Sequence, residues 1–303
     1  MIHIFIINTL VAPPKFADML KEQLSKRSIR CYVFSTSKKG MEKDIAKRLL
    51  KFFEGEKIRF YCCGGSGTFR NVVSSAIEYG DVEFAFCPLG TTNDFLKVFG
   101  KDKIYFNDID NLIDGNVEQI DYINTNHGIA INTVSWGADA EYSKFIEKTD
   151  EYVIFGKTIA FWLPFLKALT KVSKRKMTIS FDGEVISDTI SEAIIGNGFV
   201  LGGYMKFTDK YDYRDGKLSH IFFFNKTRLQ LSKYFILLVQ NRLKDAKKAA
   251  ISGEAQCYDI HIEDNNDFFI NFDGEVVQGS DTLHIEVVNK GLKFVIPKMI
   301  QVI

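Results

Sequence analysis

Ile58-Arg59-Phe60-Tyr61-Cys62-Cys63-Gly64-Gly65-Ser66-Gly67-Thr68 is the stretch of this 303-residue chain on which the fold turns. From Lys57 to Cys63 it is a short apolar run of the kind that forms a buried strand. Three glycines follow, and Thr68 to Tyr79 then takes up a helical pattern. Glycines at that junction let the backbone approach a ligand and adopt positive φ angles. The amino end of the helix behind them offers unpaired N–H groups and the positive end of its dipole, which favour an anion such as phosphate. The competing reading of the same residues is a tight turn with no ligand.

Outward from this junction the chain alternates strands and helices. Ile2 to Asn8, Ile29 to Phe34 and Val82 to Cys87 read as further strands. Pro14 to Arg27, Met41 to Phe53 and Asn93 to Phe99 read as helices, with proline tolerated in the first turn of the earliest. Such a βαβα order predicts a mainly parallel sheet with helices on both faces, binding its ligand where strand carboxyl ends meet helix amino ends. Beyond about residue 120 strands dominate: Gly128 to Val134, Lys176 to Phe181, Ala193 to Ile195, Leu218 to Phe224, Cys257 to Glu263, Phe268 to Phe272 and Thr282 to Val288. Helices are expected at Val153 to Thr170 and Leu229 to Arg242. The expectation is an α/β domain over 1–120 and a mainly β sandwich or barrel over 121–303, whose last residues are candidates to return to the first domain.

Composition narrows the function classes. The chain carries 39 Lys and Arg against 38 Asp and Glu, a net charge of +1, which argues against bulk nucleic-acid binding. The run Ile2 to Ile7 is too short for the core of a signal peptide. Val153 to Leu169 holds Lys157, Lys167 and Pro164 and does not read as a bilayer span. Five cysteines without an export signal read as free thiols and point to the cytoplasm. The five histidines lack metal-ligand spacing and no CxxC occurs, so a zinc site is not expected.

A second turn, Pro88-Leu89-Gly90-Thr91-Thr92-Asn93-Asp94-Phe95, again joins a strand to a helix. Two such turns at the carboxyl edge of one sheet can form both walls of a nucleotide site. No lysine ends the glycine loop, so it is not a P-loop of the Walker type. The GGSGT loop followed by PLGTTNDF resembles the diacylglycerol kinase catalytic-domain family, whose signature is a GGDGT loop with a downstream GTxND segment. That family includes bacterial lipid kinases and sphingosine and ceramide kinases. The similarity continues through Phe34-Ser35-Thr36, Asn132 to Asp139, Phe155 to Leu169, Gly196-Asn197-Gly198 with Gly202-Gly203, Asp212 to Leu218, and Asn271-Phe272-Asp273-Gly274-Glu275.

The resemblance implies an α/β nucleotide domain joined to a β-rich domain, with the active site in the cleft. It further implies an ATP- and Mg²⁺-dependent kinase acting on the hydroxyl of diacylglycerol or a related membrane lipid. Gly64, Gly65, Ser66, Gly67 and Thr68 would cradle phosphates, and Thr36, Gly90, Thr91, Thr92 and Asn93 would line the rest of the nucleotide site. Asp273, in a segment shared with Glu275, would be the general base. Asp94 and Asp121 are candidates for the metal network of a phosphoryl-transfer site, which works by positioning and charge neutralisation. Asp212 and Asp215 with the carbonyl of Leu218 resemble a structural metal site of some bacterial members. A transient stay at a membrane surface is expected, and homodimerisation is left open.

Two features depart from the pattern. The segment Asn8-Thr9-Leu10-Val11-Ala12-Pro13 stands where members often carry Asn-Pro and a Ser-Gly turn, so that turn's nucleotide contacts are not carried over to it. Ser66 stands where the family's loop has aspartate, and a hydroxyl brings no full negative charge. A slower kinase, a kinase whose metal is held by other carboxylates, and a nucleotide-binding homologue without turnover all remain open. A soluble-substrate kinase of the NAD kinase type is a further alternative. Two basic clusters, one of Lys167, Lys171, Lys174, Arg175 and Lys176 and one of Arg242, Lys244, Lys247 and Lys248, would serve on an anionic leaflet at about 1 kcal/mol per well-placed cation. The alternative for the first is a helix end whose cations complement the dipole.

Overall fold

The computed structural model describes residues 1–146, 167, 170–171, 174–263 and 267–300. The expected helix from Val153 to Thr170 lies almost wholly outside the described residues, as does the Phe155 to Leu169 segment of the resemblance. The chain is an α/β fold whose strands connect through a large mixed sheet. It divides into two compact units, Met1–Asp121 with Lys290–Ile303, and Tyr122–Asn289.

The first unit opens with β1 (Ile2–Asn8), α1 (Phe16–Ser25), β2 (Cys31–Thr36), α2 (Met41–Phe52), β3 (Ile58–Gly64), α3 (Ser66–Ala76) and β4 (Val82–Pro88). These strands lie in the order β4-β3-β1-β2, and each pair is parallel. β3 is buried at every position and β1 at all but its last, as a parallel sheet covered on both faces requires. The helix expected at Asn93 to Phe99 is instead a longer run of 3₁₀ turns, Asp94–Asn107, broken at Gly100 (φ 58°). A short α4 (Ile109–Ile113) follows, capped by the Asp108 side chain on the N–H groups of Asp110 and Asn111. Buried Arg59 closes the other end of α4. Its guanidinium donates to the carbonyls of Leu112 (3.1 Å), Ile113 (2.9 Å) and Gly115 (3.3 Å) and pairs with Glu83 at 2.7 Å.

The second unit is mostly antiparallel. After β5 (Asn116–Thr125), which crosses from the first unit, come β6 (Gly128–Ala130), β7 (Thr133–Gly137), α5 (Ala138–Ile146), β8 (Arg175–Phe181) and β9 (Glu184–Gly196). Then come β10 (Val200–Leu201), β11 (Met205–Lys206), β12 (Leu218–Phe224), α6 (Arg228–Val239), α7 (Leu243–Lys247), β13 (Ile251–Ala255) and β14 (Cys257–Ile262). β15 (Phe269–Phe272), β16 (Glu275–Gln278) and β17 (Thr282–Ile296) end the chain. The single strand expected over Gly128 to Val134 is two, because the chain turns at Ile131 and Asn132. The short strand expected at Ala193 to Ile195 is the end of β9, which spans 13 residues. Two Phe-Asp-Gly-Glu stretches make the same hairpin: Asp182 and Gly183 (φ 45° and 85°) join β8 to β9, and Asp273 and Gly274 (φ 52° and 95°) join β15 to β16. Positive φ at both central residues is the turn whose twist matches the flanking strands.

β17 starts beside β14 and ends in the first unit, parallel to β4, with Phe294 opposite Phe84. Phe294 is fully buried, and the rings of Phe69, Phe95, Phe99 and Phe106 surround it. At the point of return the Asp121 carboxylate accepts the N–H of Lys290 at 2.7 Å.

Each unit encloses a histidine hydrogen-bonded to a tyrosine. His3 meets Tyr61 at 2.7 Å, and His220 meets Tyr258 at 2.9 Å. Tyr258 gives its proton to the Leu218 carbonyl, so the ring of His220 is the donor to Tyr258 through Nδ1. Burial lowers the pKa of His220 to about 4, and burial with the nearby Arg59 lowers His3 to about 4. The unfolded chain, with histidines near 6.5, therefore binds more protons between these values. The stability that the neutral rings contribute is complete above pH 6.5 and is lost as the pH falls toward 4. For Glu83 burial pushes the carboxyl up, but the bonds from Lys57 and Arg59 outweigh it, so its own acid loss begins near the unfolded value of 4.5, at the lower end of the histidine window. Urea denaturation followed by fluorescence is expected to show a loss of about 2 kcal/mol from His220 between pH 7 and pH 5. His220→Phe, with the ring stack on Phe222 retained, should remove that part of the slope.

Candidate functional site

The carboxyl ends of β3 and β4 are held together by one carbonyl. Gly64 O accepts the N–H of Leu89 (2.8 Å) and of Gly90 (3.2 Å), so the two loops leave the sheet in contact. Their backbones touch: a Cβ on Gly90 would lie 2.7 Å from the Gly65 Cα and 2.9 Å from Asn93 Oδ1. A Cβ on Gly64 would strike the Thr68 side chain at 2.5–2.8 Å. Glycine is needed at these positions for close approach, since Gly64, Gly65 and Gly90 are not among the positive-φ residues.

Gly65 is the extended residue before α3, and Ser66, Gly67 and Thr68 form its first turn. No side chain caps that end, so the N–H groups of the first turn have no intrahelical partner. Gly65, Ser66 and Gly67 are half-buried, and the Ser66 hydroxyl has no hydrogen bond within the described residues. Thr68 is buried and accepts from Asn8 Nδ2 at 2.9 Å, which ties the end of β1 to the loop. Thr36, at the end of β2, is also buried. Its hydroxyl reaches the Ile7 carbonyl at 3.4 Å, and its own carbonyl accepts from the Thr9 hydroxyl and N–H. From the sequence Asn8 and Thr9 stood out only as part of a departure from the family pattern, because no glycine or charge marks them. Only the parallel register that sets Asn8 beside Thr36 exposes their place.

In the second loop Thr91 and Thr92 are exposed. Asn93 takes a left-handed conformation (φ 44°) and donates to the Gly90 carbonyl at 2.8 Å. Among the described residues its buried Oδ1 has no hydrogen-bond partner. Asp94 heads the 3₁₀ run and pairs with Lys97 at 2.7 Å. Asp121 is fully buried and carries the Lys290 bond described above. A separate hollow of about 570 Å³, bordered by Lys47, Phe53 and Tyr79, opens at the amino ends of β3 and β4, the edge opposite these loops.

In the second unit three of the sequence motifs meet at one turn. Both oxygens of Asp273 accept backbone N–H groups there: Oδ2 from Ile131 (2.7 Å), Oδ1 from Asn132 and Thr133 (2.9 Å each). The carbonyl of Asn132 receives the N–H groups of Asn197 and Gly198, and Asn132 Nδ2 donates to Val200 O. A Cβ on Gly198 would fall 2.0 Å from Asn132 Oδ1. Glu275 is half-buried opposite Phe272 across the hairpin. Behind this turn lies a polar network that sequence reading did not single out. Asp139 accepts from Ser135 (2.6 Å) and Asn271, and its N–H donates to Glu192. Burial, reinforced by Asp139, pushes the Glu192 carboxyl well above the usual range.

Asp212 and Asp215 sit in an exposed turn, where each accepts an N–H from its own loop, Arg214 at 3.1 Å and Lys217 at 2.9 Å. The Leu218 carbonyl receives the Tyr258 hydroxyl at 3.0 Å. Within the basic clusters Lys176 pairs with Glu263, Arg175 donates to the Asp267 carbonyl, and Arg242 and Lys248 share Asp245. Among the described residues no helix is long and apolar enough to cross a membrane.

The two loops make a stability test that is independent of any ligand. Gly90→Ala should cost about 1–3 kcal/mol, because backbone cannot yield as a flexible side chain would. Gly67→Ala has open space and a helical position, and should gain about 0.4–1 kcal/mol. Chemical denaturation of both variants measures the contrast.

Comparison with known proteins adds to this geometry. Residues 5–125 match the family model for the diacylglycerol kinase catalytic domain. A diacylglycerol kinase of Staphylococcus carnosus (strain TM300) is 22% identical over 264 residues, spanning 86% of this chain and 84% of that protein. A Bacillus anthracis (strain Sterne) crystal structure described as a diacylglycerol kinase superposes with a TM-score of 0.65 at 16% identity, covering 97% of this chain and 96% of the other. Another structure from the same strain, provisionally so described, gives a TM-score of 0.70 at 19% identity, covering 97% and 94%. The fold is therefore shared over nearly the whole length, and in residues 5–125 the chain matches the diacylglycerol kinase catalytic-domain family.

Proposed function

We propose that the protein is an ATP- and Mg²⁺-dependent lipid kinase that phosphorylates the hydroxyl of diacylglycerol or a closely related lipid. The observation that carries this reading is the backbone contact of Gly65 with Gly90, which sets an uncapped helix end and the Thr91-Thr92-Asn93 turn side by side. In this reading the first unit is the nucleotide-binding half. The second is the acceptor half, a mainly β domain of the sandwich or barrel kind.

The N–H groups of Ser66, Gly67 and Thr68 hold phosphate oxygens without a lysine, by direct hydrogen bonds and the helix dipole. The unpartnered Asn93 Oδ1 and the exposed Thr91 and Thr92 hydroxyls supply polar contacts to the remainder of the nucleotide. Thr36, with its hydroxyl turned inward, shapes the edge of the site through its backbone. Asp94 is the carboxylate of these loops suited to a hard cation, and Ser66 offers a neutral oxygen beside it in the donor set. Mg²⁺, bound with the nucleotide, supplies charge neutralisation on the phosphate oxygens. Asp121 acts through the strand crossing that it pins, and Asp212, Asp215 and the Leu218 carbonyl remain the proposed structural cation site.

Asp273 is proposed as the general base. Three backbone N–H groups fix its carboxylate in one orientation, from which it takes a proton from the lipid hydroxyl in this reading. Glu275 follows it in the same hairpin as a second acidic group. The basic clusters, thinned by the ion pairs to Glu263 and Asp245, supply local and reversible attraction to an anionic leaflet. Such an enzyme works in the cytoplasm at the membrane surface.

Ser66 favours a second reading, a nucleotide-binding homologue with little turnover, since its position at the first helical residue of α3 is where the family's carboxylate belongs. One assay separates the readings. With labelled ATP, Mg²⁺ and mixed micelles of candidate lipids, the parent should label a lipid, and Asp273→Asn should lower kcat by about 10²–10⁴-fold. Ser66→Asp should raise kcat, and should also stabilise the fold by about 0.3–1 kcal/mol through the helix dipole. Turnover seen only in Ser66→Asp would establish the second reading. Labelling of NAD and of no lipid would overturn both.

A further inference from the structure

We propose that the outward face of β14 and β17 holds a divalent transition metal of the zinc class, bound by Cys257, His284 and Glu286, with Asp259 fixing the histidine. None of these residues belongs to the loops or turns discussed above, so the inference stands apart from the kinase reading.

The register creates the cluster. Cys257 lies directly opposite Glu286, and Asp259 directly opposite His284. Alternate residues of a strand share a face, so all four side chains rise on the same side. The donor atoms of Cys257, Asp259 and His284 lie within 4.8 Å of one another. The two ring nitrogens of His284 are turned to different partners. Nδ1 is 2.7 Å from Asp259 Oδ1, whereas Nε2 looks toward Cys257 Sγ at 4.0 Å and Glu286 Oε2 at 3.8 Å. Zinc bonds sulfur at about 2.3 Å and imidazole nitrogen at about 2.0–2.1 Å, so two such ligands on a tetrahedral ion stand about 3.6 Å apart. For the sulfur–nitrogen pair a shared metal therefore needs only a few tenths of an ångström of contraction, and the Glu286 carboxylate closes from 3.8 Å.

The remaining atoms are already arranged as a metal site requires. Asp259 accepts from Nδ1, the carboxylate–histidine pairing that fixes tautomer and ring orientation for a metal on Nε2. Glu286 has its Oε1 held by Asn124 Nδ2 at 2.9 Å, leaving Oε2 toward His284. The N–H of His284 donates to Asn126 Oδ1 at 3.0 Å, which fixes the strand beneath the ring. His284 and Asp259 are 41% and 71% exposed, so the ion has a path from solvent. On binding, the Cys257 thiol releases its proton to solvent as the sulfur–metal bond forms, and solvent completes the coordination shell. Thiolate and imidazole ligands select zinc-like ions over Mg²⁺ and Ca²⁺, which prefer all-oxygen sites.

The full-length protein, stripped with a chelator and dialysed, is titrated with Co²⁺ as the spectroscopic probe and with Zn²⁺ in competition. The expected result is one equivalent bound, with a near-ultraviolet thiolate-to-cobalt charge-transfer band that Zn²⁺ abolishes. Cys257→Ser should lose the band, and Cys31→Ser should keep it. His284→Gln and Glu286→Gln should each weaken binding by more than tenfold. Asp259→Asn should weaken it about 10–100-fold while leaving the band in place. Circular dichroism of each variant checks that the exposed strands still fold. Absence of the band in the parent would overturn the proposal and leave a surface His–Asp ion pair. Its survival in Cys257→Ser, or binding unaffected in His284→Gln, would do the same.

Discussion

The Gly64 carbonyl, accepting two N–H groups from the neighbouring strand's exit, sets the geometry on which the first unit depends. A carbonyl has two lone pairs, and both are used here on a single partner loop. That arrangement leaves no room for a side chain between the loops, so glycine is demanded at 90, while the Thr68 side chain of the same loop demands it at 64. Once the backbones are in contact, the amino end of α3 is left without a cap of its own. An uncapped helix end is a cost in an isolated domain, and it presents free donors and a positive dipole end of the kind that favour negative charge. Position and electrostatics therefore follow from one pair of hydrogen bonds.

The second unit solves a similar problem with a carboxylate. Asp273 gathers the N–H groups of Ile131, Asn132 and Thr133, and the Asn132 carbonyl gathers those of Asn197 and Gly198. Segments far apart in sequence are thereby fixed to one turn. The hairpin that carries Asp273 has positive φ at both central residues, so its side chain is aimed by the backbone rather than by rotamer choice. A carboxylate held this way has little freedom to reorient.

Much of the first unit was legible because its signals are local. Ile2 to Asn8, and Leu218 to Phe224 in the second unit, were read with the same bounds that the structure has, since each is a short, mostly apolar run that ends at turn residues. Gly64 to Thr68 announced a strand-to-helix turn on composition alone. β5 was missed because Asn116, Glu118 and Asp121 interrupt the apolar pattern, although Asp121 turns out to be buried against Lys290. α5 was missed because Ala138 to Ile146 is short, and its inward polar residues answer to Asn271 and Glu192 rather than to a helical stripe. The extent of β9 was hidden by Ser187, Asp188 and Thr189 in its middle. Long-range register is the common factor: the Asp273 clasp and the quartet around His284 are made by residues with no meaningful sequence spacing. The histidine rule used on the sequence looks for ligands along one element, and a cross-strand site has none.

The return of β17 to the side of β4 has a consequence for biogenesis. Until residues 290–296 have left the ribosome, β4 is an edge strand with an open ladder, and Phe69 and Phe95 lack the ring of Phe294. The first unit must therefore wait, incomplete and adhesive, while the whole of the second is synthesised. A nascent chain in that interval exposes an unpaired strand edge and apolar surface. Its folding order should run from the second unit back to the first, the reverse of the order of translation.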